Sequence, residues 1–381
     1  MAKKRIGILF GMEDTFPWSL VNEINTRAAA SGEEIEAVPV QVGHVRQEDG
    51  LGYDVILDRI SHEVPFYRTI LKLAAARGAQ VVNDPFWWSA DDKFLDNAVA
   101  LAAGVAVPRT ALLPHKVHPP NTTDRSFRNL KYVAWDEVFS YLGWPVFMKP
   151  AYGGGWKDVY KCEDEKEFFA AYDQTRDLTM MAQEAIDFTD YFRCYVVGRR
   201  DVHVMPYAPK EPHAMRYSAV AGTTIEPELK ARVTRDALAL CEALGYDLNT
   251  VEFAVRDGVP YAIDFMNPAP DAERTSVGDE NFEWIVGAVA TMLLDRVRSP
   301  RPFRPFGTWP RLLGLAAESK AAPRPAPAAR KAAPPAPRMK ASPPAEVAAP
   351  AASPAKTPVG KAKAKAKAKA NVKVKAKAKK P

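Results

Sequence analysis

The chain has 381 residues, with 52 Lys and Arg against 46 Asp and Glu for a net charge of +6. The charge is divided: residues 301–381 hold 20 of the basic residues but only Glu318 and Glu346 of the acidic ones, which leaves residues 1–300 at a net −12. A body of that length buries about 75% of its unfolded surface without staples; three scattered cysteines, Cys162, Cys194 and Cys241, argue against a disulfide framework and fit a reducing cytoplasm, and no apolar run approaches the ~20 residues of a membrane helix.

Lys3-Lys4-Arg5 ahead of Ile6–Phe10 has the outline of a signal peptide, but the apolar run is short and Glu13-Asp14 follow at once, so it reads as a buried parallel strand. A helix follows, with Pro17 near its start, Val21, Ile24 and Ala28 on one face and Gly32 as its stop. Strands are predicted over 35–42, 55–60 and 80–83, and helices over 65–77 and 90–103. This alternation predicts an open, mostly parallel α/β sheet over residues 1–108. Beyond Pro108 the pattern changes to short strands near 109–113, 146–149, 158–162, 192–197 and 202–207, with helices over 165–174 and 227–244. That reads as an antiparallel α+β body. A hairpin turns about Asp257-Gly258, and a helix over 280–298 closes the fold.

Two segments carry chemistry. Pro145-Val-Phe-Met-Lys149-Pro150-Ala-Tyr-Gly153-Gly154-Gly155-Trp-Lys157 places a lysine at a strand end before three glycines. Consecutive glycines let backbone N–H groups approach a polyphosphate, and the lysine adds a point charge; a flexible hairpin tip with a solvated lysine is the other reading. The second segment, Glu252 to Asn267, holds Glu252, Asp264 and Asn267, oxygen donors suited to Mg²⁺. A three-residue loop would pair 252 with 264 on one face, whereas a two-residue loop would pair 252 with 263 and turn the carboxylates apart. Opposed acids are destabilising unless a cation bridges them; solvated acids on an exposed hairpin are the alternative.

The order of these segments resembles the ATP-grasp superfamily. The matching pieces are Ala90-Asp-Asp-Lys93-Phe94, the Lys149 strand with its glycines, Met181-Ala-Gln183-Glu184-Ala185-Ile186, Arg193-Cys-Tyr-Val-Val-Gly198, and the Glu252…Asp264…Asn267 hairpin. The resemblance spans residues 5–295, in the manner of glutathione synthetases and ribosomal-protein glutamate ligases. It implies a Rossmann-like pre-ATP-grasp domain over 1–108 and an ATP-grasp domain over 109–300, with its lid over about 109–190 and a C-terminal subdomain over about 191–300.

Residue by residue, the resemblance puts Lys93 and Lys149 on the nucleotide phosphates and Gly153, Gly154 and Gly155 in a lid. Gln183, Glu184, Ala185 and Ile186 form the hinge that reads adenine. Asp190 lies near the ribose-binding acid, with Tyr191 the position reached by alignment on Arg193. Glu252, Asp264 and Asn267 hold Mg²⁺ (or Mn²⁺), and Arg216 faces the phosphate and the acyl substrate beside Lys149. The implied reaction is ATP-dependent activation of a carboxylate as an acyl phosphate, captured by an amine or thiol. The substrates are small molecules or peptides. Two departures stand out. Asp264 and Asn267 are three apart rather than two, which a bulge at Phe265-Met266 would correct, and Asp158 follows the lid where a small residue is commoner.

Glu13 and Thr15 follow the first strand, where open α/β sheets bind ligands, so they are candidate substrate contacts; capping of the next helix by Thr15 or Asp14 is the competing reading. Arg59 ends another strand and either binds an anionic substrate or pairs with Asp58 or Glu63. Phe86-Trp87-Trp88 reads as core or interface. From about Ala321 the chain is Pro-, Ala- and Lys-rich, with ten lysines between 361 and 380. That composition predicts a disordered tail with salt-dependent affinity for nucleic acid or another polyanion. The expectation is a cytoplasmic ligase, with nucleoid association through the tail. A nucleic-acid-associated nucleotide binder without ligase activity and a small-molecule kinase on the same fold are the alternatives.

Overall fold

The computed structural model describes residues 3–86 and 92–301, all within the first of the two units, Met1–Ala322 and Pro323–Pro381, into which the chain divides. Trp87, Trp88, Ala90, Asp91 and the tail from residue 302, singled out above, lie outside the described residues.

The first layer is a parallel sheet of β1 (Lys4–Leu9), β2 (Ile35–Pro39), β3 (Val55–Asp58) and β4 (Gln80–Val82) in the order β2-β1-β3-β4. Helices α1 (Phe16–Ala30) and α2 (Pro65–Ala76) connect it. Ile6, Ile8 and Leu57 pack on the α1 side with Leu20 and Ile24. Leu9 and Ile56 pack on the other side with Leu71 and Ala74 of α2. Both faces are covered, which is why the strands read as continuous apolar runs. The order switches at β1, so the loops after β1 and β3 flank a crevice at the carboxyl edge.

Helix α3 (Lys93–Ala102) starts at Asp92, whose carboxylate accepts from the Leu95 N–H at 3.0 Å. Its Val99 and Ala100 pack into the core of the third sheet. The second sheet is antiparallel, in the order β5-β8-β6-β7, and consists of β5 (Thr110–Leu112), β6 (Val146–Pro150), β7 (Tyr160–Cys162) and β8 (Met180–Glu184). Val146, Met148, Met180 and Ala182 point to one face, where α4 (Trp135–Leu142) and α5 (Glu165–Tyr172) cover them with Phe139, Leu142 and Phe168. The period of two therefore sends Phe147, Lys149 and Gln183 to the opposite face.

The third sheet, β10-β9-β11-β12, is also antiparallel, with β9 (Asp190–Val197), β10 (Asp201–Pro206), β11 (Leu248–Arg256) and β12 (Val259–Asp264). Helix α6 (Pro227–Leu244) packs beneath it through Val233, Ala237 and Leu240. A short turn of helix, α7 (Arg274–Val277), leads to α8 (Asp279–Arg298), which returns to pack on α1 and the first sheet through Ile285, Val289 and Leu293. No helix among the described residues is long and apolar enough to cross a membrane.

The β11–β12 hairpin corrects two expectations. The loop has two residues, since Arg256 pairs with Val259. Asp257 and Gly258 both have positive φ, 54° and 70°, the conformation a two-residue turn matched to strand twist requires. The pairing nevertheless ends with Glu252 opposite Asp264, because Ile263 is accommodated in a register shift between the Ala262 and Asp264 pairs. The irregularity just before Asp264 is what brings the two acids opposite each other.

Candidate active site

The second and third sheets face each other across a cleft of about 380 Å³. Phe147, Lys149 and Gln183 line it from the second sheet, and Glu252, Ala254 and Asp264 from the third. The segment Gly153–Asp158 borders it, and Phe188, Tyr191 and Lys210 complete the far wall.

Lys149 reaches across the cleft, its Nζ 3.4 Å from the carbonyl oxygen of Ile263. Burial pushes its ammonium pKa down to about 8; Asp264 opposes that shift and the neighbouring Lys93 charge adds to it. Lys93 opens α3, and its Nζ donates to the carbonyl of Gly153, tying the helix to the glycine segment. Two ammonium groups thus share one space in a body that is net negative. In the glycine segment Gly153 and Gly155 have φ of 83° and 74°, and nothing lies within 4 Å of a Cβ placed at Gly153, Gly154 or Gly155. The glycines supply backbone conformation and close approach rather than packing room.

Glu252 sits on a central strand, its Cα paired with Asp264 on β12 and Arg193 on β9. Tyr191 Oη donates to Glu252 Oε2 at 2.7 Å, and Arg193 Nε lies 3.5 Å from Oε1. Burial raises the Glu252 pKa, Arg193 opposes this, and the Asp264 charge raises it further. Among the described residues no group of three or more His, Cys, Asp or Glu is gathered. The donor set is a pair of opposed carboxylate oxygens, the hard-ligand chemistry Mg²⁺ and Mn²⁺ take together with phosphate oxygens and water. A divalent cation between them removes the like-charge repulsion that this register creates, so the residues fit the ion.

The segment Gln183–Ile186 is held largely by side chains. Gln183, buried, donates to Thr110 Oγ1 at 2.9 Å. Glu184 accepts from Arg109 Nε at 2.9 Å and from Arg256 Nη1 at 2.8 Å, which joins the second sheet to the third. Burial disfavours the charge of Glu184, but the two guanidinium groups outweigh it and hold the carboxyl below its usual range. The Ala185 N–H donates to the carbonyl of Pro145, and Ile186 lines the cleft.

Of the remaining sequence candidates, Tyr191 lines the cleft and the others lie outside its lining. Asp190 is exposed and accepts from Thr189 Oγ1, while Tyr191 lines the cleft. Arg216 donates to the Glu211 carbonyl and to Tyr207 Oη, and its charge is felt at Glu252. Asn267 is outside the cleft-lining set, its N–H held by Asn249 Oδ1 at 2.8 Å. Arg59 pairs with Glu13 rather than with Asp58 or Glu63, and also donates to the Pro270 carbonyl. Thr15 and Asp14 do not cap α1 with their own side chains. Glu273 does so from 258 residues away, its carboxylate accepting from the Thr15 N–H at 3.0 Å and the Phe16 N–H at 3.3 Å. Sequence reasoning passed over the Tyr191–Glu252 bond and the Arg109–Glu184–Arg256 bridge. Their partners are 61 to 75 residues apart, and no local pattern marks them.

No protein-family model matches the chain. Mitochondrial pyruvate carboxylase of Rattus norvegicus is 24% identical over 188 residues, and that of Homo sapiens 25% over 194. Each match covers 45% of this chain, which spans only 15% of those proteins' length. Among solved structures, D-alanine–D-alanine ligase from Bacillus anthracis, complexed with ATP, is 17% identical with a TM-score of 0.54, over 79% of this chain and 100% of that one. VanG D-Ala:D-Ser ligase from Enterococcus faecalis is 18% identical with a TM-score of 0.56, over 77% and 99%. A RimK-domain ATP-grasp protein from Sphaerobacter thermophilus is 19% identical with a TM-score of 0.54, over 76% and 99%. At these identities the likeness is one of fold.

Proposed function

On the ATP-grasp fold that these comparisons establish, we propose that the chain is an ATP- and Mg²⁺-dependent ligase that activates a carboxylate as an acyl phosphate and joins it to an amine or thiol. The observation that carries this reading is the convergence of Lys93, Lys149 and the opposed pair Glu252–Asp264 on one cleft bordered by Gly153–Gly155. A tetra-anionic triphosphate entering a negative body needs local cations, and the two lysines provide them.

In this reading Lys149 and Lys93 hold the phosphates, backbone N–H groups of the glycine segment cover them, and the edge of the hinge at Ile186 receives the base. Glu252 and Asp264 would hold Mg²⁺, and Asn267 lies outside the cleft-lining set. Mg²⁺, when bound there, would supply positive charge to the phosphate oxygens. The carboxylate oxygen bonds to the γ-phosphorus as the bond to the bridging oxygen of ADP breaks. The amine then bonds to the acyl carbon, inorganic phosphate leaves, and the nitrogen loses a proton to solvent or to released phosphate. Arg216 faces the developing charge from the 207–217 segment. Positioning and electrostatics account for the catalysis, and no protein nucleophile enters.

A mass-resolved metabolite screen with ATP and Mg²⁺ tests the proposal. A ligase gives ADP, phosphate and a condensed product that depend on both an acid and an amine. A stable phosphorylated product would make it a kinase, and nucleotide binding without any product would leave a binding protein. The ten lysines over 361–380 favour a polyanion, nucleic acid foremost, as a second partner.

A further inference from the structure

We propose that Tyr191 is a positioning residue for Glu252, fixing that carboxylate for a divalent cation; the inference rests on the reading of Glu252 and Asp264 as the cation's ligands. The terminal torsion of a glutamate is broad and two-fold, so a carboxylate without a firm partner samples many orientations and loses that freedom on binding an ion. Among the described residues Glu252 has one firm partner, the Tyr191 hydroxyl, at 2.7 Å from Oε2. Its contact to Arg193 is longer, 3.5 Å to Oε1, beyond good hydrogen-bond length. One oxygen is therefore pinned and the other remains available, on the strand face that Asp264 shares.

The phenol is itself held. Tyr191 lies on β9 opposite Ala254 and diagonal to Glu252, a neighbour relation the antiparallel ladder fixes. Its ring contacts Phe188 at 5.1 Å and Tyr207 at 6.0 Å between centroids. A donor seated in packed aromatics and aimed at a ligand oxygen is the arrangement by which outer partners orient metal ligands, and losing such a partner typically costs 10–100-fold in metal affinity. A phenol that only satisfied its own burial would have no effect on the ion.

The test is Tyr191→Phe in the full chain, with a non-hydrolysable ATP analogue and Mn²⁺ followed by electron paramagnetic resonance. The same analogue is titrated in parallel without metal in EDTA. The expected result is Mn²⁺ affinity in the ternary complex lowered about 10–100-fold, a loss well beyond any change in metal-free analogue affinity, in a variant that unfolds as cooperatively as the parent. Unchanged Mn²⁺ affinity in the variant would overturn the positioning role while leaving the nucleotide site in place. Equal loss with and without metal would reduce Tyr191 to part of the cleft wall and overturn it too. A parent protein that binds the analogue with no response to Mn²⁺ would remove the ligand reading and this inference together.

Discussion

Lys149 is charged where water is scarce, and its pKa of about 8 has consequences that can be signed. The unfolded chain keeps this lysine protonated to about pH 10.4. Between about pH 8 and 10.4 the unfolded state therefore binds more protons, and stability rises with pH across that window as the cost of the buried ammonium disappears. Phosphate binding has the opposite sign, because it needs the protonated form. ATP affinity is expected to be flat below about pH 8 and to fall by up to about tenfold per pH unit above it. Lys149→Arg should flatten the fall, since guanidinium stays protonated. Titrations at pH 7.0, 8.5 and 9.5 check this, and equal parent affinity at all three would show that the charge of Lys149 does not meet the nucleotide.

At the scale of elements, α1 is capped in trans. Glu273 satisfies its first N–H groups and accepts from Thr15 Oγ1, and a carboxylate also complements the positive end of the helix. Glu273→Ala is expected to lower stability by about 1–2 kcal/mol, measured as a fall in the urea midpoint without loss of slope. The Glu184 bridge is the comparable joint between sheets, and Glu184→Gln should remove part of the acid sensitivity of the fold. The folded carboxyl titrates below its usual range, so its contribution is present above about pH 4.5 and is lost as the pH falls through the lower folded value.

Helix α6 was legible over Pro227–Leu244 because Pro227 opens it and Gly245 closes it in a left-handed conformation, φ 80°. Helix α4 was not, because Ala134 gives no side-chain cap and only Phe139 and Leu142 of its eight residues are buried. The hairpin turn was written in Asp257-Gly258, but the accommodation of Ile263 was not: Tyr261-Ala-Ile-Asp264 carries no glycine to mark it. The strand that delivers Lys149 and the glycines after it were visible locally. The capping of α1 by Glu273 and the Tyr191–Glu252 bond arise only from tertiary pairing.

Over the whole molecule, the charge of the chain is split so that a negative folded body gathers two ammonium groups at one cleft and a Lys-rich tail follows. If the tail is the polyanion-binding part, affinity for duplex DNA should fall steeply and log-linearly with salt, and truncation after Arg301 should abolish it while leaving nucleotide turnover within about twofold. Retained DNA affinity in the truncated chain would locate that surface on the body. Every role proposed for the cleft depends on one triphosphate being held between Lys93, Lys149 and the Glu252–Asp264 face. Titration calorimetry of the full chain with ATP and Mg²⁺ is the most direct measurement. It should give saturable one-to-one binding, weakened by at least about tenfold, or roughly 1.4 kcal/mol, in Lys149→Ala, and with its Mg²⁺ dependence lost in Asp264→Asn. Absence of binding by the parent, or binding that neither substitution alters, would contradict it.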